Sequence, residues 1–157
     1  MKIHIVLDNI RSAFNVGSIF RSSDGAGSVE KIYLCGITSP IDNPKLEKTA
    51  LGSLEFIPSE HYDTTLEAIQ ELKEQNIPIY SVELTKGSKN FQDIIYPNEF
   101  ALIFGHEKKG IDKEILRFSD QILFIPMRGE KKSLNVANVA SIILYETTRS
   151  YTSINRR

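Results

Sequence analysis

Short apolar runs without polar alternation recur along this chain, and helical periodicities separate them. Lys2 to Leu7, Val29 to Cys35, Ile77 to Val82, Phe100 to Phe104 and Ile122 to Ile125 are such runs, and the last two stop at Gly105 and Pro126. A strand apolar on both sides must be covered on both sides, which is the situation of a parallel sheet between layers of helix. The intervening segments fit that scheme. Asn15 to Gly25 carries Val16, Ile19 and Phe20 on one helical face, and Asp63 to Gln75 carries Leu66, Ile69 and Leu72 at three-residue steps, with Asp63 or Thr64 as its cap. Ser133 to Arg149 reads as a long final helix, Leu54 to Ile57 as a short strand stopped by Pro58, and the stretch holding Gly36, Pro40 and Pro44 as a polar loop. The expected class is α/β.

The chain has 157 residues, the size of one domain at ~150 residues each and enough to build a core without staples. Nineteen Lys and Arg against twenty Asp and Glu leave a net charge of −1. Bulk charge therefore does not bind nucleic acid here, although a local basic patch can. A lone cysteine, Cys35, excludes an internal disulfide framework and a CxxC zinc site, and its apolar surroundings mark a buried, inert thiol. His4, His61 and His106 lie in unrelated segments without metal-ligand spacing. The Ile3 to Leu7 run is too short for a signal peptide, and no stretch reaches the ~18 apolar residues of a membrane span. The expectation is a cytoplasmic protein with no metal and no membrane.

Ligands of such sheets bind beyond the carboxyl ends of strands, where loops meet helix N-termini. Three loops occupy such ends. In the first, Asn9 to Arg21, Asn15 is placed to cap a helix. Gly17 costs that helix about 1 kcal/mol relative to Ala, which calls for close approach of a backbone or a ligand. Arg21 follows Asn15 by six residues. The second loop, Phe104-Gly105-His106-Glu107-Lys108-Lys109-Gly110-Ile111, is a polar turn bracketed by glycines. The third, Ile125 to Ala137, holds the cations Arg128, Lys131 and Lys132, then Ser133 as N-cap of the last helix and Asn135 in its first turn. No G-x-G-x-x-G occurs, because Glu30 stands where Gly25 and Gly27 would need a third glycine, and no P-loop lysine motif occurs. A nucleotide-dependent oxidoreductase loses support accordingly.

Together the three loops resemble the motifs of SpoU/TrmH-type RNA methyltransferases of the SPOUT superfamily, in the right order and over nearly the whole chain. Asn15, Gly17 and Arg21 match the first motif. Phe104 to Ile111 matches the second, and Ile125-Pro126-Met127 with Ser133-Leu134-Asn135-Val136 the third. His106 departs from the Ser or Asn frequent at its position, and Ala137 from a frequent Ser. The resemblance implies a SPOUT α/β knot, a Rossmann-like, mostly parallel sheet with a C-terminal trefoil knot, as a single domain over 1–157 without the extra N-terminal RNA-binding domain of many relatives.

It also implies S-adenosylmethionine as methyl donor, bent within Phe104, Gly105, Glu107, Gly110, Ile125, Met127, Ser133, Leu134 and Asn135. The implied reaction is methylation of a ribose 2′-hydroxyl of tRNA or rRNA by a homodimer joined through its first and last helices. Arg21, Asn15, Glu107, Ser133 and Asn135 would be the catalytic set. Arg21 would contact the acceptor ribose and its phosphate, the others would orient it, and His106 would be an alternative base. Arg11, Arg21, Lys86, Lys89, Lys108, Lys109, Arg128, Lys131 and Lys132 would bind RNA, with Arg156 and Arg157 as a tail. The competing expectation is a non-catalytic, dimeric RNA-binding module on the same scaffold.

Overall fold

Strand β1 (Lys2–Asp8) is buried on both faces from Ile3 onward. Alternate side chains enter two separate cores. Ile3, Ile5 and Leu7 point into one, and Val6 into the other. Strand β6 (Glu99–Gly105) divides in the same way, with Phe100, Leu102 and Phe104 on the first side and Ala101 and Ile103 on the second. A computed structural model, which describes residues 1–155, thus has the three layers expected of unalternated apolar strands.

Helix α1 (Ala13–Ala26), helix α2 (Pro44–Ala50) and the final helix α5 (Val136–Asn155) contribute to the first core through Phe20, Leu46, Ile143 and Leu144. Helix α3 (Thr65–Glu74) and the single turn α4 (Lys113–Leu116) contribute Ile69, Leu72 and Ile115 to the second. Each fully buried side chain of this kind stabilises the fold by about 1.5–3 kcal/mol.

The remaining strands are β2 (Val29–Cys35), β3 (Ser59–Tyr62), β4 (Ile79–Val82), β5 (Lys89–Asn90) and β7 (Gln121–Phe124). Among the described residues they form one sheet ordered β3-β2-β1-β6-β4-β7-β5, with parallel pairing throughout. The sequence runs outward to β3 on one side of β1, and every later strand lies on the other. The β1–β6 boundary is therefore the topological switch point where α/β sheets bind ligands. Asp8 pairs with Gly105, and Val82 with both Phe104 and Leu123, so the loops after β1, β6, β4 and β7 leave from one rim.

Several local expectations need correction. The stretch expected as a polar loop contains α2. Asn43 caps it by accepting from the Lys45 amide at 3.0 Å, Pro44 opens it, and Leu51 ends it in the left-handed region. Leu54 to Ile57 is not a strand; Ser53–Glu55 forms a 3₁₀ turn. The strand lies beyond the proline as β3, because the Pro58 carbonyl accepts from the Ile32 amide and the β2 ladder starts there. A second 3₁₀ turn, Phe91–Asp93, follows β5. Ser12, not Asn15, caps α1, its hydroxyl accepting from the Asn15 amide. Ser133 does not cap α5; the Asn135 side-chain oxygen accepts from the Ala137 amide at 2.9 Å and fills that role. Thr64 caps α3 in a reciprocal box with Glu67. Arg156 and Arg157 lie outside the described residues.

Gly17 has the reason its place demanded. A Cβ there would run into the Leu46 carbonyl oxygen and Thr49 Oγ1 of α2, so the close approach is to a backbone and not to a ligand. Cys35 is buried, and burial with the nearby Asp8 charge pushes its thiol up to about 12. Among the described residues no helix is long and apolar enough to cross a membrane, and no cluster of three or more metal-ligating side chains exists.

Candidate active site

Glu107 stands two residues past the end of β6, beside the loop that leaves β1. Its carboxylate accepts from the Arg11 amide and the Ser12 amide, each at 2.9 Å, and from the Asn15 side-chain amide at 2.9 Å. Partial burial works against the charge, but these donors outweigh it and hold the carboxyl below the usual range. The positive end of α1 acts in the same direction. Because Ser12 serves as the cap, the Asn15 side chain is free to bridge. Its oxygen accepts from the Asn135 side-chain nitrogen at 3.0 Å. Glu107, Asn15 and Asn135 thus form one hydrogen-bonded chain tying the loops after β6, β1 and β7, residues 92 to 120 positions apart in sequence.

A cleft of about 540 Å³ opens on the β6–β4–β7 side of this chain. Phe104, Gly105, Glu107, Gly110, Ile125, Met127, Ser133, Leu134 and Asn135, all nine residues expected around the cofactor, line it. Its volume suits a small organic ligand. Two lining residues had no sequence signal. Glu83, just past β4, accepts from the Ile111 amide at 3.1 Å and packs where a Cβ on Gly110 would sit; Gly110 itself has φ +69°. Thr85 Oγ1 is buried and has no hydrogen-bond partner among the described residues. A buried hydroxyl left unpaired costs about 1–3 kcal/mol, so one facing a cleft points to a missing polar partner.

Two further clefts meet the chain from the other side. One, of about 740 Å³, includes Arg11, Phe14, Ile37, Pro40 and Lys45, and shares His106, Glu107, Lys108 and Asn135 with the first. The other, of about 370 Å³, brings Arg21 together with Asn15, Lys48 and Asn135. Arg21 is exposed and has no hydrogen-bond partner among the described residues. The structure thus gathers Arg21, Asn15, Glu107 and Asn135 at one place. Ser133 is exposed on the wall of the first cleft, outside the hydrogen-bonded chain.

The His106 Nδ1 accepts from the Lys108 amide at 3.0 Å and the Lys109 amide at 3.3 Å, so in the neutral ring Nε2 carries the hydrogen. Of the cations expected on the RNA face, Lys108, Lys109 and Lys132 line the first cleft, Arg11 and Lys108 the second, and Arg21 the third. Lys86, Lys89, Arg128 and Lys131 are exposed outside all three. Lys45 and Lys48 were missed with the helix that carries them, although Asn43-Pro44 is a helix-start signal.

The profile of the SpoU rRNA Methylase family matches residues 2–145. A tRNA (guanosine(18)-2′-O)-methyltransferase of Thermus thermophilus is 30% identical over 145 residues, covering 92% of this chain and 73% of that one. The 23S rRNA (guanosine(2553)-2′-O)-methyltransferase RlmP of Bacillus subtilis is 32% identical over 141 residues, 90% of this chain and 56% of that one. Among solved structures, the SpoU methyltransferase AviRb of Streptomyces viridochromogenes, crystallised with AdoMet, superposes with a TM-score of 0.88 at 27% identity, covering 96% of this chain and 60% of that one. Several relatives are therefore substantially longer than this chain. Matched from β1 into α5 by sequence and over nearly its full length by structure, the chain belongs to the SpoU rRNA methylase family.

Proposed function

We propose that this chain is an S-adenosylmethionine-dependent methyltransferase acting on a ribose 2′-hydroxyl of tRNA or rRNA. The observation that carries this is the hydrogen-bonded chain Glu107–Asn15–Asn135, with a ligand-sized cleft on one side and the Arg21 cleft on the other. The names of the relatives support the substrate and the donor.

The first cleft fits the donor. Ile125, Met127 and Leu134 give it an apolar wall, and Glu83 and the Thr85 hydroxyl, without a partner among the described residues, offer polar partners for a nucleoside and an amino group. When bound, S-adenosylmethionine supplies a methyl on a sulfonium, a leaving group that needs no acid. The chain's own task is positioning and electrostatics. Arg21 holds the phosphate beside the acceptor ribose and stabilises negative charge growing on its oxygen. Asn15 and Asn135 keep the Arg21 cleft in register with the first. Glu107 locks Asn15, and Ser133 faces the donor. Arg11, Lys108, Lys109 and Lys132 meet flanking phosphates, while Lys86, Lys89, Arg128 and Lys131 extend the basic surface.

The same reading includes a C-terminal trefoil knot, a homodimer, a single domain over 1–157, no metal, and work in the cytoplasm on RNA. Support for the knot is the insertion of β7 between β4 and β5, with the Glu83 amide donating to the Leu123 carbonyl at 2.9 Å, so the link from β4 to β5 crosses the end where β7 departs. Support for the dimer is apolar surface on α5, where Ile142 and Tyr145 are exposed.

The test is transfer from labelled S-adenosylmethionine to unfractionated tRNA and rRNA, followed by nuclease digestion and identification of the labelled nucleoside. A 2′-O-methylnucleoside is expected. Arg21→Ala is expected to lower turnover at least 100-fold while calorimetric affinity for the donor stays within about threefold, since Arg21 lies outside the first cleft. Donor binding and RNA binding without transfer would make the chain the non-catalytic module instead.

A further inference from the structure

The cleft containing Phe14, Ile37 and Pro40 holds apolar surface that the chain does not use. Phe14 is 48% exposed and Ile37 63% exposed. Neither is there through slackness of the backbone. The Phe14 carbonyl accepts from Thr49 Oγ1 at 2.9 Å, and the Ile37 amide donates to Asn9 Oδ1 at 3.1 Å. Thr38, next to Ile37, donates to the Leu7 carbonyl at 2.8 Å and accepts from the Ile10 amide at 2.9 Å. The loops after β1 and β2 are thereby pinned together, with an aromatic ring and a branched aliphatic group presented on fixed supports.

Cations outnumber carboxylates around this apolar surface. Arg11, Lys45 and Lys108 line the cleft, and its one carboxylate, Glu107, is engaged by the Arg11 and Ser12 amides. The cleft is continuous with the proposed donor cleft through His106, Glu107, Lys108 and Asn135. His106 Nε2–H is a donor at that shared wall. An aromatic platform with cations around it and a polar donor at one edge is how proteins hold an unstacked base of single-stranded RNA.

Resting on the proposed function, we infer that this cleft seats the base of the acceptor nucleotide, with Phe14 as its stacking platform. The ribose then falls at the shared wall, between the donor cleft and Arg21.

The experiment compares Phe14→Ala and Phe14→Trp with the wild type, using unfractionated tRNA and rRNA and then an oligoribonucleotide copying the mapped site. Loss of one base–aromatic stack is expected to raise the RNA KM of Phe14→Ala by roughly 5- to 100-fold. Donor affinity by calorimetry and the sedimentation coefficient should not change, and Phe14→Trp should restore the KM. An abasic acceptor should penalise the wild type by a similar factor and Phe14→Ala by little more. An unchanged RNA KM for Phe14→Ala in an active enzyme overturns the inference and leaves the proposed function standing. A changed sedimentation coefficient overturns it in favour of a contact between two copies of the chain. A wild type that methylates no RNA removes the proposed function and this inference together.

Discussion

Glu107 keeps its charge because the groups around it all donate. Partial burial opposes ionisation, and the Arg11 and Ser12 amides with the Asn15 side chain more than offset that. A carboxyl depressed in the folded state adds stability above its unfolded value, near 4.5, and loses it as pH falls through the lower folded value. Glu107→Gln should therefore lower stability by about 1 kcal/mol at neutral pH, a modest figure because the site is partly exposed. The gap should close as pH falls from the unfolded value of 4.5 through the lower folded one, which urea midpoints of both proteins across pH would show. Thr85 makes the opposite case. Its hydroxyl is buried without a partner among the described residues, so Thr85→Val should leave the melting temperature unchanged or raised. If the hydroxyl belongs to the donor site, the same change should weaken S-adenosylmethionine binding roughly 5- to 10-fold by calorimetry.

At the scale of elements, the contact between α1 and α2 decides where the first loop stands. Gly17 lies on α1 against the Leu46 carbonyl and Thr49 Oγ1. Gly17→Ala would improve helix propensity by about 1 kcal/mol. The obstacle is partly a backbone carbonyl that cannot rotate away, so the helices must separate. A net loss of about 1–3 kcal/mol is expected from denaturant unfolding. Because the Phe14 carbonyl is bonded to Thr49 across the same contact, RNA KM should rise in that variant too. The helix caps work in the same direction. Ser12 and Asn135 take the capping roles, and this leaves Asn15 between Glu107 and Asn135.

Across the whole molecule, a net charge of −1 leaves the RNA of the proposed function to local surface, and Arg11, Lys45, Lys48 and Lys108 line the clefts proposed to meet it. A twofold dimer would double that surface. Tyr145, 55% exposed on α5, belongs to the apolar face proposed for subunit contact. Tyr145→Asp should shift the sedimentation coefficient toward the monomer, with little change in the monomer's far-ultraviolet circular dichroism. An unchanged coefficient in a dimeric protein would move the contact elsewhere.

The amino-acid sequence by itself determined the α/β class, because β1 and β6 are apolar at consecutive positions and need cover on both faces. It also marked the loops that gather at the site, since each glycine-bracketed or Asn-bearing turn follows such a strand. It did not reveal β3, whose Ser-Glu-His-Tyr composition suits an edge pairing only with β2, nor α2, hidden among prolines. Tertiary structure alone decided that Asn15 bridges instead of capping, that the His106 Nδ1 is spent on two amides, and that the Thr85 hydroxyl is buried beside the cleft without a partner among the described residues. The physical reason is range. Periodicity reports what a residue meets within a few positions, whereas these arrangements depend on the rim where β1, β6, β4 and β7 end together.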